Sequence, residues 1–414
     1  MKAPSVVRAC ALASIALASA CGDLFGGDDA PPPPADPALA PAVETQPAPA
    51  PDPSPSPEPS PPAGTVTFPG LEGIPIPLPL PDANRPDPEP PARGSLAPAP
   101  AGTWDAAGHM TRPFLEQRAA VLHRALVAAL DARENEQTRA IPFEVVHENR
   151  EPNAAAGCTR ATRSPVMMIT TAMLELAAGI AETKAYDEVA GTDTYEQYVA
   201  SVVDQVRRQA PVTGPSPSLH QAPHATDPHK LARQVHLFDQ QIAFIVGHEL
   251  AHHYRGHTGC VGGRTQAEIQ RDELAQLLAR TVPPFSQPFE VEADMWSVAN
   301  VLDAGRNRSG GTWTQEGALL NLDFFRRLSD RGGAELVLAF LSTHPPAVIR
   351  VPIVRSAAQQ WRPGWRPPTI PVPGQPGAGI ELPAPGGPIR LPDPGQLPID
   401  PSRLPFPLPQ PRSP

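Results

Sequence analysis

His248 and His252 stand four residues apart with Glu249 beside the first, in the run from Leu237 to Tyr254. Apolar residues crowd nearly every side of this run, so it reads as a buried helix with a reason to keep its polar groups. On a helix, positions i and i+4 share a face, so both imidazoles can reach one cation, while Glu249 sits about 100° round the axis. Two nitrogen donors with a carboxylate alongside are what a zinc-bound hydrolytic site requires: ligands from the rings, a general base from the acid. Gly247 removes a side chain next to the first ligand, which predicts room there for a substrate backbone.

A catalytic zinc site usually takes three protein ligands. Phe289-Glu290-Val291-Glu292-Ala293-Asp294 supplies the best third donor. If this stretch is helical, Glu290 and Asp294 share a face, with Glu292 turned roughly 200° away from Glu290. Glu290 is then the metal ligand, Asp294 the partner that orients a ligating ring, and Glu292 part of a solvated face. The competing reading is an acidic helix start after Pro288 that complements the macrodipole. In the metal reading one Zn2+ is held by His248, His252 and Glu290, and Glu249 accepts a proton and returns it to the leaving amine.

His248-Glu249-Leu250-Ala251-His252 followed by Glu290-x-x-x-Asp294 resembles the gluzincin peptidases of the CAAX prenyl endopeptidase, HtpX and BepA type. Asn153-Ala154-Ala155-Ala156-Gly157, ahead of Val166-Met167-Met168-Ile169-Thr170, is similar to that family's Asn-Ala-x-Ala turn and edge strand. Phe340-Leu341-Ser342-Thr343-His344-Pro345, with Arg350 beyond it, is similar to the Ser-Thr-His-Pro motif of its soluble periplasmic branch. The resemblance covers roughly residues 104 to 360. It departs from the family where residues 158–164 interrupt the link between turn and strand, and no helical repeat domain follows. It implies a zincin-like α+β domain, mainly helical, with a small sheet over the active helix. It also places His344 near the zinc, either gating it or stabilising an oxyanion.

The hydrophobic periodicity predicts helices over 112–135, 171–182, 193–210, 229–255, 265–281, 288–303, 312–330 and 345–360. Residues 142–147 and 166–170 are β-rich enough to pair. An exposed edge at Val166, Met167, Met168, Ile169 and Thr170 would receive a substrate as an added strand, though the methionines serve equally well as core filler. His253 should face away from the metal, His257 should cap or flank the helix end, and His220, His224 and His229 belong to a surface loop.

The chain has 414 residues, but 60 are proline and only 5% are aromatic, so the globular part is much shorter. Lys2 and Arg8 precede a short apolar run, 9–20, that reads as a secretory signal. Leu17-Ala18-Ser19-Ala20-Cys21 resembles a bacterial lipobox, with Cys21 as the lipidated residue; ordinary cleavage after Ala20 gives the same new terminus without lipid. The resulting division is a signal at 1–20, a lipidated Pro/Ala-rich linker at 21–103, a metallopeptidase domain at 104–361 and a Pro-rich disordered tail at 362–414. At about 3.1 Å per residue the linker would give reach of up to roughly 200 Å, with docking of proline-recognising partners as the other use. Gly22 after the cysteine points to an outer-membrane lipoprotein facing the periplasm.

The net charge of −10 and three lysines (Lys2, Lys184, Lys230) leave no basic patch for nucleic acid. No run after the signal is long enough for a transmembrane helix. Cys158 and Cys260 in an exported domain suggest a disulfide, with two free buried thiols as the alternative. The expected partners are a lipid anchor and protein or peptide substrates, unfolded or misassembled proteins of the cell envelope. The alternative function is a tethered chaperone or assembly factor with a latent or inactive zinc site.

Overall fold

The computed structural model describes residues 81–370, apart from 83, 90, 93, 101, 148–150, 160–161, 217–223, 262–282, 309–310 and 333–343. The expected signal, Cys21, most of the linker, the tail beyond 370, His220 and the helix expected at 265–281 lie outside the described residues. Contacts group 81–158 with 164–370 into one unit, whose architecture follows.

The elements in chain order are α1 (Arg112–Ala129), α2 (Ala132–Thr138), β1 (Phe143–Val146), β2 (Ala154–Cys158), β3 (Pro165–Thr170), α3 (Thr171–Ala190) and α4 (Thr194–Arg207). They continue with α5 (Pro228–Tyr254), α6 (Pro283–Gly305), α7 (Glu316–Asp330) and α8 (Ala347–Gln360). The unit is thus mainly helical with one three-stranded sheet. Among the described residues no helix is long and apolar enough to cross a membrane.

Helix α5 is the hub, packed against α1, α3, α6 and α7. Its start is fixed by Asp227, whose carboxylate accepts from the backbone N–H groups of His229 and Lys230, and by Pro228 in the first turn. Gly256, at φ +81°, turns the chain back just past its end. The single helix expected over 112–135 is two: the chain leaves the helical region at Leu130, and Asp131 caps α2 by accepting from Glu134 N–H. Thr170 caps α3 by accepting from Met173 N–H, so the last strand residue opens the next helix.

The strand order is β1-β3-β2, with β3 parallel to β1 and antiparallel to β2. This corrects the edge assignment. Val166, Met167, Met168, Ile169 and Thr170 form the buried centre of the sheet, and Met167 and Ile169 belong to its main core. Five large or β-branched residues in a row suit a strand covered on both sides, while alanines and a glycine suit the rim. The edge beside α5 is β2, residues expected to be a turn. Thr170 N–H donates to Asn153 C=O, so by antiparallel alternation Ala155 and Gly157 bond β3. Ala154, Ala156 and Cys158 therefore aim their peptide groups outward.

Cys158 and Cys260 are disulfide-bonded, with Cα atoms 5.9 Å apart across 102 positions. The bond ties the end of β2 to the turn after α5, and a loop that long is worth roughly 4 to 5 kcal/mol in the chain-entropy account.

Both ends of the folded unit extend past the boundaries expected at 104 and 361. Asp82 N–H donates to Gln359, Asp87 pairs with Arg355, and Leu96 is buried. At the other end Ile370 is fully buried in a second core formed by α6, α7 and α8 with Phe244 of α5. Proline-rich composition hid these segments, because single apolar anchors such as Leu96 and Ile370 carry no periodicity.

His123 of α1 stacks on Phe143, ring centroids 4.9 Å apart, and its Nε2 has no hydrogen-bond partner among the described residues. Burial, helped by the Arg124 and His253 charges, pushes it down to about 4. The folded value lies below the ordinary value of 6.5, so this neutral ring contributes stability above that pH and loses it as pH falls toward about 4. His123→Phe keeps the stack and cannot charge. Denaturant unfolding from pH 6.5 to 4 should show a slope shallower than wild type by up to about 1.4 kcal/mol per pH unit. An unchanged slope would remove His123 as a source of the acid sensitivity.

Candidate metal centre

The site lies on the seam between α5 and α6. His248 Nε2 and His252 Nε2 are 3.1 Å apart. Glu290 approaches the first through Oε2 at 3.1 Å and the second through Oε1 at 3.4 Å. Donors bound tetrahedrally at about 2.0 to 2.1 Å stand about 3.3 to 3.4 Å from one another, so this spacing fits one small cation within a few tenths of an ångström. His248, His252 and Glu290 could together hold a metal.

Electrostatics lead to the same place. Burial pushes His252 well below its ordinary range, so its ring is neutral. Burial works the other way on Glu290, but the His344 and His252 rings beside it and the bond to His248 hold it down at about 2. A carboxylate and two rings facing one another need something positive between them, either a proton or a metal ion. For the proton, burial opposes a charged His248, yet its bonds to Asp294 and Glu290 lift it to about 9.

Asp294 lies against His248. Its Oδ1 accepts from His248 Nδ1–H at 3.0 Å, which leaves Nε2 facing Glu290 and His252. Arg350 of α8 grips the same carboxylate through Nε at 2.8 Å and Nη2 at 2.6 Å, both groups being buried. Burial would raise the Asp294 carboxyl, but Arg350 and His248 hold it far below the usual carboxylate range.

Glu249 is buried beside the cluster. Burial raises its carboxyl, but the neighbouring His344 and His248 rings and the nearby Ala156 N–H outweigh it and keep Glu249 ionised. The edge strand thus runs beside the acid. His344 Nε2 lies 3.4 Å from Glu290 and 3.8 Å from Glu249. Residues 340–343 of its motif lie outside the described residues.

Two expectations need correcting, and a third gains a partner. Glu292 is not a solvated face: it is buried, accepting from Arg255 at 2.7 and 3.0 Å and from His257 Nε2 at 3.1 Å. The 200° rotation aims it at the end of α5, not at water. His257 does flank the helix end, but it also joins the cluster, because its Nδ1 meets His252 Nδ1 at 3.0 Å. Periodicity could not find it, since the helix stops at Tyr254 and the turn at Gly256 brings His257 back beneath His252. Gly247 opens space for a helix and not for substrate: a Cβ there would stand 2.8 Å from Ser297 Oγ of α6.

His253 does face away from the cluster. Its Nε2–H donates to Val166 C=O at 3.0 Å and its Nδ1 meets Thr258 Oγ1 at 3.1 Å, which stitches α5 to the central strand. No protein-family model, curated protein or solved structure matches this chain.

Breaking a buried ion pair by removing one partner costs about 3 to 5 kcal/mol. Arg350→Leu should therefore lower the denaturation free energy of the metal-free protein by about that amount. A loss under about 1 kcal/mol would show that Asp294 does not depend on Arg350.

Proposed function

We propose that the chain is a zinc-dependent endopeptidase of the gluzincin type, acting on unfolded or misassembled proteins of the cell envelope. One observation carries the reading: two imidazole nitrogens and a carboxylate converge at the spacing of a single cation, with a buried ionised acid next to them. Nitrogen and oxygen donors in a three-residue set suit zinc with a further position open for reaction. Bound there, zinc supplies Lewis acidity, polarising a carbonyl and making water easier to deprotonate.

The rest of the chemistry falls to side chains of this chain. Glu249 accepts the proton of the attacking water as its oxygen bonds to the scissile carbonyl carbon. It then hands that proton to the amide nitrogen as the C–N bond breaks, so the acid ends as it began. Asp294 and Arg350 fix the His248 ring throughout. An extended substrate would add to the sheet at β2, where Ala154 and Ala156 turn peptide groups outward, in a pairing that ignores sequence. His344, close to Glu249 and Glu290, would then stabilise negative charge on the carbonyl oxygen or close the site.

The proposal includes export and lipid attachment at Cys21, with the proline-rich linker giving reach from an outer membrane on its periplasmic side. A second reading, a tethered chaperone with a latent site, draws support from His344, whose ring approaches both acids at once.

Metal analysis with a peptidase assay on an unfolded protein substrate separates the two. Wild type should carry one zinc and cleave, and chelation should abolish cleavage. Glu249→Gln should keep the zinc and lose activity by about 100-fold or more. Full cleavage by Glu249→Gln would sink the mechanism, while holdase activity indifferent to chelation and to Glu249→Gln would favour the chaperone.

A further inference from the structure

His252 has a ring-orienting partner of its own, on the opposite side of α6 from Asp294. We propose that His257 is a positioning residue for the metal centre: braced by Glu292, it sets the His252 tautomer so that Nε2 offers its lone pair to the cation. This rests on the reading of the site as a metal centre and is independent of whether the centre hydrolyses peptides.

The hydrogen bonds run in one direction. Glu292 is ion-paired with Arg255, whose Nε and Nη2 both donate to Oε1, so its carboxylate is an acceptor. His257 Nε2 reaches the other oxygen, Oε2, at 3.1 Å and must therefore donate. A neutral imidazole that donates at Nε2 accepts at Nδ1. His252 Nδ1, 3.0 Å away, must then be the donor, and a neutral His252 with its hydrogen on Nδ1 has a bare Nε2. That Nε2 faces His248 Nε2 and Glu290. The opposite tautomer would aim a hydrogen into the cluster and leave two lone pairs opposed between the rings of His252 and His257.

The relay is held from several sides. Arg255 lies over the Trp296 ring at 4.4 Å and donates to Thr369 at 2.8 Å, so the group that anchors Glu292 is itself fixed. Phe289 of α6 packs on the His257 ring, centroids 4.6 Å apart. Thr258 N–H donates to His252 C=O, and Cys260, two residues on, carries the disulfide to β2. Three acids of α6 thus serve one centre: Glu290 as ligand, Asp294 behind His248, and Glu292 behind His252 through a third ring.

The test is a Zn2+ titration of the metal-free full chain against a chromophoric chelator, for wild type, His257→Phe and His257→Gln. Removing a partner of this kind costs 10- to 100-fold in metal affinity. His257→Phe should lose that much. His257→Gln, whose amide oxygen can accept from His252 Nδ1–H, should recover most of it, a rescue that mere filling of space would not give. In the metal-free wild type, 15N shifts of the His252 ring should show a protonated Nδ1 and a bare Nε2, a readout that stands even if His257→Phe fails to fold. The inference is overturned if wild type binds zinc and His257→Phe binds it equally well, or if His252 carries its hydrogen on Nε2. No zinc uptake by wild type would instead overturn the metal centre itself, and this inference with it.

Discussion

Four carboxylates, Glu249, Glu290, Glu292 and Asp294, are buried along the seam between α5 and α6, and their neutralisation is the constraint on which the rest depends. An isolated buried carboxylate costs many kcal/mol unless paired and hydrogen-bonded. Each acid here has its own answer. Asp294 has Arg350 and His248, Glu292 has Arg255 and His257, Glu249 has His344 and a strand N–H, and Glu290 faces two ring nitrogens. Arg350 comes from α8 and Arg255 from the turn after α5, so much of the tertiary arrangement beyond the two helices delivers cations to this seam. Gly247 lets the two axes close, with Ser297 Oγ–H donating to Phe244 C=O across the contact.

The sheet is tied to the same seam by two bonds. His253 holds Val166 of the central strand, and the Cys158–Cys260 disulfide holds the end of the edge strand to the turn carrying His257, while the Ala156 N–H of that edge lies toward Glu249. Strand, acid and relay are therefore not free to drift apart independently. On the reading proposed here, the surface that would receive substrate and the base that would act on it are positioned by one another.

Much of the arrangement was legible in residue spacing. The i, i+4 rule placed His248 with His252 and Glu290 with Asp294, because both pairs lie within regular helices where rotation per residue is fixed. It fails at the helix end. His257 lies beyond Tyr254, past a glycine turn whose direction no periodicity encodes, and a helical wheel, which reports angle and not what occupies it, sends Glu292 to water. Spacing misleads about the edge strand for a related reason: β-propensity favours Met167 and Ile169 as strand residues, but propensity is highest where a strand is buried, not where it is open. The plain alanine run of β2 gave a weaker signal and held the rim. Single anchors such as Leu96 and Ile370 were lost in proline-rich sequence.

Metal-binding geometry alone does not separate a reactive centre from a structural one; the proposed reading rests that distinction on Glu249. A structural site is usually closed with four protein ligands and has no use for a further ionised acid at its side. Keeping Glu249 buried and charged takes a strand amide and a histidine, and the ring rotation that puts His248 and His252 on the cluster leaves Glu249 on the side of β2. The acid is thus placed between the ligands and the sheet edge that packs on α5. An extended chain lying on that edge would pass the acid and the ligand cluster together, which is what proton transfer to and from a backbone amide requires. The latent reading must instead treat the same acid as a passive partner of His344, and it gives no reason for the edge strand to run beside it.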